Sequence, residues 1–202
     1  MTAMSHPTRS AAILAGGRAT RFGGRDKSAL VVDGQTILDR QLAALGPLTD
    51  EVLIVGGDAA PGGAARPIPD LVPGCGPLGG LHAALTAARG DAVFLVACDM
   101  PYLSSAFIAH LFSLAAGADV VVPQSERGYH PLCAVYTRAC LEPAAARLAE
   151  RRLRMREFVD GLRTRVVPLE DIRPFGDPDR LLTNVNTPAD YAGLGALQGH
   201  KP

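Results

Sequence analysis

The stretch LAGGRATRFGGRDKS, residues 14–28, sets four glycines, three arginines and a lysine directly after an apolar run. Glycine lets main-chain N–H groups approach a ligand closely, and Arg18, Arg21, Arg25 and Lys27 add positive charge. That combination suits an anion with many oxygens. Two common versions are excluded: Gly17 and Gly23 stand six apart, too far for GxxxxGK[ST], and no GxGxxG fingerprint occurs. A second chemical group is Asp99, in CDMPYL, placed where the apolar run AVFLVA ends. Magnesium commonly takes one or two carboxylates and completes its shell with water and phosphate oxygens. Ser104, beyond Pro101, is the better cap for the next helix, which leaves Asp99 for chemistry. The two together read as a magnesium nucleotide site built without a P-loop.

Such residues need elements to hold them. SAAIL (10–14), EVLIV (51–55), AVFLVA (92–97) and DVVVP (119–123) are short apolar runs ending in Gly, Asp or Pro. Runs apolar on both faces read as parallel strands buried between helices. Helical patterns at 36–46, 78–89 and 104–116 fall between them; in the second, Leu78, Leu81, His82 and Leu85 share one face. A DG turn predicts a hairpin over 29–38, and AAPGGAARP (59–67) reads as a surface loop. LCAVYTR (132–138) predicts a further strand, with helices around 139–150 and in the arginine-rich stretch after it; NTPADYAGLGAL opens a last helix. The alternation predicts an α/β fold of three layers around a mostly parallel sheet, one domain over 9–198 with flexible termini at 1–8 and 199–202. In such sheets ligands bind outside the carboxyl ends of the strands, where both chemical groups fall.

The chain has 202 residues, with 20 lysines plus arginines against 20 aspartates plus glutamates, and this balance argues against nucleic acid as a partner. Cys75, Cys98, Cys133 and Cys140 include no CxxC pair, so the usual zinc spacing is missing and reduced thiols are expected. No apolar run approaches the roughly 20 residues of a membrane span, and MTAMSHPTRS lacks the apolar core of a signal peptide. The cytoplasm is the expected compartment.

The loop resembles the LAGGxxxRMGGxDK signature of the molybdenum cofactor guanylyltransferases of the MobA type, with Phe22 where methionine is commoner. Further segments are similar in the same order: GPLGGL (76–81), CDMP (98–101), HPL (130–132) and NVNTP (184–188). The resemblance therefore spans nearly the whole chain. It implies a Rossmann-like nucleotidyltransferase that joins GMP from GTP to the phosphate of molybdopterin and releases pyrophosphate. It implies nucleotide contacts at Leu14, Ala15 and Gly16, with Gly17 in the same loop, at the loop lysine Lys27 and at Asp70, and a magnesium ligand at Asp99. Asparagine, which the family can carry after the second strand, is absent; this chain reads Val55-Gly56-Gly57.

On this reading Arg21 and the loop N–H groups take the β- and γ-phosphates, Lys27 takes the α-phosphate and the departing oxygen, and Asp99 holds the metal. Gly76, Pro77 and Leu78 lie in a stretch that either lets main chain approach the guanine edge or only packs helix on sheet. His130 is either an acceptor contact or structural. Asn184 and Asn186 orient pterin or metal. Arg151 and Arg152 resemble an ERR segment facing the pterin phosphate, or belong to a solvated helix face with Arg147, Arg154 and Arg156. Cofactor-insertion and molybdoenzyme maturation proteins are the protein partners implied. The alternatives are a cytidylyltransferase with the same acceptor, a sugar-nucleotide transferase, and a carrier that binds without catalysis.

Overall fold

The computed structural model describes residues 8–15, 30–57 and 63–193. In chain order the elements are β1 (Arg9–Leu14), β2 (Val31–Val32), β3 (Gln35–Thr36), α1 (Ile37–Leu45), β4 (Glu51–Val55), β5 (Arg66–Ile68) and α2 (Gly76–Ala87). There follow β6 (Ala92–Ala97), α3 (Ser105–Ser113), β7 (Val120–Ser125), β8 (Gly128–Tyr129), β9 (Cys133–Thr137) and α4 (Leu141–Ala149). The chain continues through α5 (Met155–Asp160), β10 (Thr164–Val167), α6 (Leu169–Ile172), α7 (Pro178–Leu181) and α8 (Pro188–Gly193).

The main sheet has the order β10-β7-β9-β6-β1-β4-β5, with β8 attached to β7. β1 pairs in parallel with β4 and β6, β4 with β5, and β7 with β10. β9 runs antiparallel to both of its neighbours. The mostly parallel sheet is as expected; the reversal of β9 is not encoded in its apolar run, which looks the same in either direction.

Alternation along the strands builds two cores. Ala11, Ile13, Ile54, Phe94 and Val96 face Leu45 of α1 and Phe107, Ile108 and Leu111 of α3. Ala12, Leu53, Leu95 and Tyr136 face Leu78, Leu81 and Leu85 of α2, with Leu148 and Phe158 from α4 and α5. Three layers result. Each fully buried side chain of this size contributes about 1.5–3 kcal/mol, so the cores outweigh the loop contacts in fixing where the strands end.

Local chemistry sets the boundaries. Asp33 and Gly34 have φ 52° and 81°, which makes the DG turn between β2 and β3 a type I′ hairpin. Thr36 and Ser104 cap α1 and α3 by accepting from Asp39 N and Phe107 N. α2 starts two residues before its expected position, at Gly76, and carries no side-chain cap. β5, β8 and β10 lie outside the predicted strands. β10 reads TRVV with alternating exposure and pairs on one side only, so it lacks the all-apolar signature of the central strands. Among the described residues no helix is long and apolar enough to cross a membrane.

Candidate functional site

The strand order lays the chemical residues along one edge of the sheet. β5 leads to Asp70, β4 to Gly56 and Gly57, β1 to Ala15, and β6 to Asp99. Because β9 is reversed, the residues before it, His130 to Leu132, arrive at this edge too, next to Ser125 at the end of β7. Asp99 occupies the middle. Its side chain is only 9% exposed.

Several contacts fix it there. Cys98 N donates to Leu14 O at 3.2 Å, which joins the ends of β6 and β1, and Ala15 N donates to Val55 O at 3.0 Å. Gln41 of α1, fully buried, donates from Nε2 to Ala97 O at 2.8 Å and Met100 O at 3.0 Å, holding the segment on both sides of Asp99. Asn184 Nδ2 donates to Asp99 Oδ1 at 3.0 Å, and Val185 N to Asp99 O at 2.8 Å. Val185 is itself anchored in a small core with Tyr102, Val32 and Ile37. Arg180 stacks 4.3 Å above the Tyr102 ring. The NVNTP segment is thus clamped onto the end of β6. Asn186 uses its N–H to bond Asp190 Oδ2 at 2.9 Å, while Thr187 Oγ1 accepts from Asp190 N at 3.1 Å, a reciprocal cap for α8.

On the β5 side, Asp70 is half-buried and accepts from Val72 N at 3.1 Å, shaping the turn into α2. Gly76 opens α2 at φ 60°. The two following glycines have packing reasons. A Cβ on Gly80 would lie 2.7 Å from Leu14 Cδ2, and one on Gly79 would lie 3.2 Å from Val72 O. Part of GPLGG therefore serves helix-on-sheet contact, while Gly76, Pro77 and Leu78 stand at the head of the helix beside Asp70. A Cβ on Gly57 would approach Ala15 Cβ to 2.6 Å, so this position has no room for a side chain without a shift of the residue that follows β1.

On the β7 side, His130 Nε2 and Ser125 Oγ are 2.8 Å apart. Burial, then the charge of Arg127, lowers the pKa of His130 below its ordinary value. Ser125 and Arg127 also line a cleft of about 580 Å³, closed on its other side by Arg173 and the start of α7, including Asp177 and Asp179. The cleft lies at the end of β7, which stands two strands, about 10 Å, from β6.

The arginine run separates into different places. Arg147, largely buried, and exposed Arg154 both bond Glu157 at 3.2 Å, and exposed Arg152 bonds Glu150 at 3.3 Å. Arg156 lies over the Tyr129 ring at 5.9 Å, beside the β8 turn. Arg151 points to the other flank and reaches Cys75 Sγ at 3.7 Å.

Lys27, Arg21, Gly16 and Gly17, together with Arg18 and Arg25, lie outside the described residues. The structure brings together Leu14, Ala15, Asp99 and Asn184, sets Asp70 and Gly76 to Leu78 on one flank, and sets His130 on the other. The sequence reading overlooked Gln41, Ser125 and Arg173. Gln41 had a signal: it takes a core position of α1, with Ile37 one turn before and Leu45 one turn after.

Among the described residues no group of three or more His, Cys, Asp and Glu is clustered. A metal here would rest on Asp99 and on ligand oxygens. The donor set fits a hard divalent cation, since Asp99 brings carboxylate oxygen and the Asn184 amide, donating its N–H to Asp99, keeps its carbonyl oxygen as a further hard donor.

The family of the MobA-like NTP transferase domain matches residues 11–165. A probable molybdenum cofactor guanylyltransferase from Pelotomaculum thermopropionicum is 35% identical over 180 residues, covering 88% of this chain and 87% of its own. A molybdenum cofactor guanylyltransferase from Desulfosudis oleivorans is 36% identical over 179 residues, covering 87% of this chain and 88% of its own. The crystal structure of molybdopterin-guanine dinucleotide biosynthesis protein A from Archaeoglobus fulgidus shares the fold with a TM-score of 0.77 at 24% identity, covering 94% of this chain and 98% of its own.

Proposed function

This chain belongs to the MobA-like NTP transferase family, and from that premise we propose that it transfers GMP from GTP to the phosphate of molybdopterin, releasing pyrophosphate. The observation that carries the reading is Asp99, held by Asn184, Gln41 and the end of β1 at the centre of the strand-end edge. A buried carboxylate oriented by the Asn184 amide suits a cation brought in with a nucleoside triphosphate.

The reaction forms a bond between an acceptor phosphate oxygen and the α-phosphorus, and breaks the bond from that phosphorus to the oxygen bridging to the β-phosphate. Both electrons of the broken bond leave with pyrophosphate. All partners are anionic, so positioning and charge stabilisation supply the catalysis. We assign the triphosphate to the loop of Gly16 and Gly17, with Arg21 on the β- and γ-phosphates. Lys27 meets the α-phosphate and the departing oxygen, where negative charge grows. Leu14 and Ala15 line the floor by their main chain. Asp99, with Asn184, would hold Mg²⁺, which when bound polarises the α-phosphate. Asn186 orients the ligand beside them. No general base is needed, because a phosphate monoester has its second pKa around 6.

Asp70 and the head of α2 at Gly76, Pro77 and Leu78 receive the guanosine. Main-chain groups there have no side-chain cap to satisfy them and can face the base. The acceptor lies toward His130 and the cleft at Ser125, Arg127 and Arg173. We place the reaction in the cytoplasm, in keeping with four cysteines that form no disulfide, and pass the product to proteins that insert it into molybdoenzymes.

The test is pyrophosphate release with Mg²⁺ and molybdopterin, comparing GTP, CTP and ATP. Release with GTP that requires the acceptor is the expected result. Preference for CTP would replace the guanine assignment, and binding without release would make the protein a carrier.

A further inference from the structure

α4 ends on an unusual residue. Arg151 has φ 58°, in the left-handed region, with Arg151 N bonded to Leu148 O at 3.1 Å and Arg152 N to Arg147 O at 2.9 Å. This pair of bonds is the Schellman ending, whose left-handed position is normally glycine because a Cβ there is strained. Glycine would end the helix equally well, so the arginine side chain must be sought elsewhere for its contribution.

It crosses to α2. Arg151 Nη1 approaches Cys75 Sγ at 3.7 Å, and among the described residues Cys75 is the sole hydrogen-bond partner of that guanidinium. Cys75 is fully buried and precedes the first residue of α2. Its own N–H donates to Val72 O at 3.3 Å, and its carbonyl accepts from Gly79 N at 3.4 Å. The turn that it anchors contains Gly74 at φ 79° and Gly76 at φ 60°, and α2 has no side-chain cap. Glycine-rich main chain is intrinsically loose. A surface that recognises a base by main-chain groups has to be held within about 0.5 Å of its working geometry.

We infer that Arg151 is a positioning residue for the nucleotide: through Cys75 it braces the turn from Asp70 to Leu78 from outside. The inference rests on the guanosine reading of that turn given above. It moves Arg151 away from the acceptor phosphate, which the ERR resemblance suggested, and onto the nucleotide side. The strained backbone launches the side chain toward α2, whereas Arg152, one residue on, turns to Glu150.

Replacing Arg151 separates stability from function. Arg151→Gly relieves the left-handed strain and should melt at or above the wild-type temperature. Its KM for GTP should rise about two- to fivefold, the effect of one weak lost hydrogen bond, with kcat at saturating GTP retained and the GTP preference over ATP narrowed. Cys75→Ala should reproduce the KM effect, Cys75→Ser should restore most of it, and Arg151→Gly/Cys75→Ala should be no worse than either single change. Unaltered KM and base preference in Arg151→Gly, or additive effects in the double variant, would overturn the inference. Wild-type protein inactive with every nucleotide would instead defeat the functional reading, and this inference with it.

Discussion

The two edges of one sheet use the same residue types in opposite ways. At the edge where β1 and β4 begin, Glu51 accepts from Ser10 Oγ at 2.9 Å, Arg89 N at 2.6 Å and Arg66 Nη2 at 2.9 Å. At the start of β7 and β10, Asp119 Oδ1 meets Arg163 Nη2 at 2.6 Å and Oδ2 accepts from Arg163 N at 3.0 Å. Burial by itself raises the Glu51 pKa, yet the bonds from Arg89, Arg66 and Ser10 outweigh it and leave the value lowered. Asp119 is lowered by the Arg163 side-chain bonds against the opposing effect of burial. At the opposite edge, Asp99 is held by a neutral amide, and His130 is kept toward its neutral form. One edge closes its charges on each other for stability. At the other, the Asn184 amide clamps the Asp99 carboxylate beyond the strand ends, where a hard cation can join it.

The largest effect that would break this contrast is at Asp99. Asp99→Asn should lower turnover by about 10²–10³-fold or more while the thermal midpoint hardly moves; wild-type turnover would remove Asp99 from the mechanism. Asp119→Ala should do the reverse, costing about 1–3 kcal/mol in urea unfolding because its partners lose a charged acceptor, with turnover unchanged. Gly57→Ala forces a Cβ into the 2.6 Å approach to Ala15 and should cost about 1–3 kcal/mol while also raising the KM for GTP, since β1 ends there.

The smallest effect is a difference in pH windows. His130 has its native pKa below the usual 6.5, so its contribution is complete above that pH and is lost as pH falls from 6.5 toward the lowered native value. Asp119 also has a depressed native value; its contribution holds above the ordinary carboxylate range, near pH 4, and is lost as pH falls through the native value. Stability measured against pH should therefore flatten just below pH 6.5 in His130→Gln and only at acid pH in Asp119→Asn. A wild-type slope near pH 6 in His130→Gln would detach the histidine from the effect.

The place of Asp99 beyond a central strand, with Ser104 rather than Asp99 as the helix cap, was legible because the apolar run stops there and Pro101 intervenes. The three layers followed from strands apolar on both faces. Much of the rest depended on three-dimensional neighbours. Nothing in LCAVYTR says that β9 is reversed, and without that reversal His130 would leave the edge. The spacing from 75 to 151 carries no local pattern, so the arginine run read as one feature, although Arg151, Arg152 and Arg156 serve three different surroundings. GPLGG could be read either way from sequence, as a base contact or as helix packing; Gly79 meets Val72 and Gly80 meets Leu14. The cleft at Ser125 and Arg173 joins segments more than 40 residues apart in sequence, beyond the reach of any motif.

The bond from Asn184 to Asp99 spans 85 residues, and that separation orders events during synthesis. Every strand of the main sheet has left the ribosome once Val167 emerges, so both cores can begin to form at that stage. Asn184 and Val185 follow 17 and 18 residues behind that point, a delay of about one to a few seconds at translation rates of about 5–20 residues per second. The nascent chain passes through a stage with a paired sheet and an unclamped Asp99, and competence for the ligand arrives only with the segment that carries Asn184 and Val185.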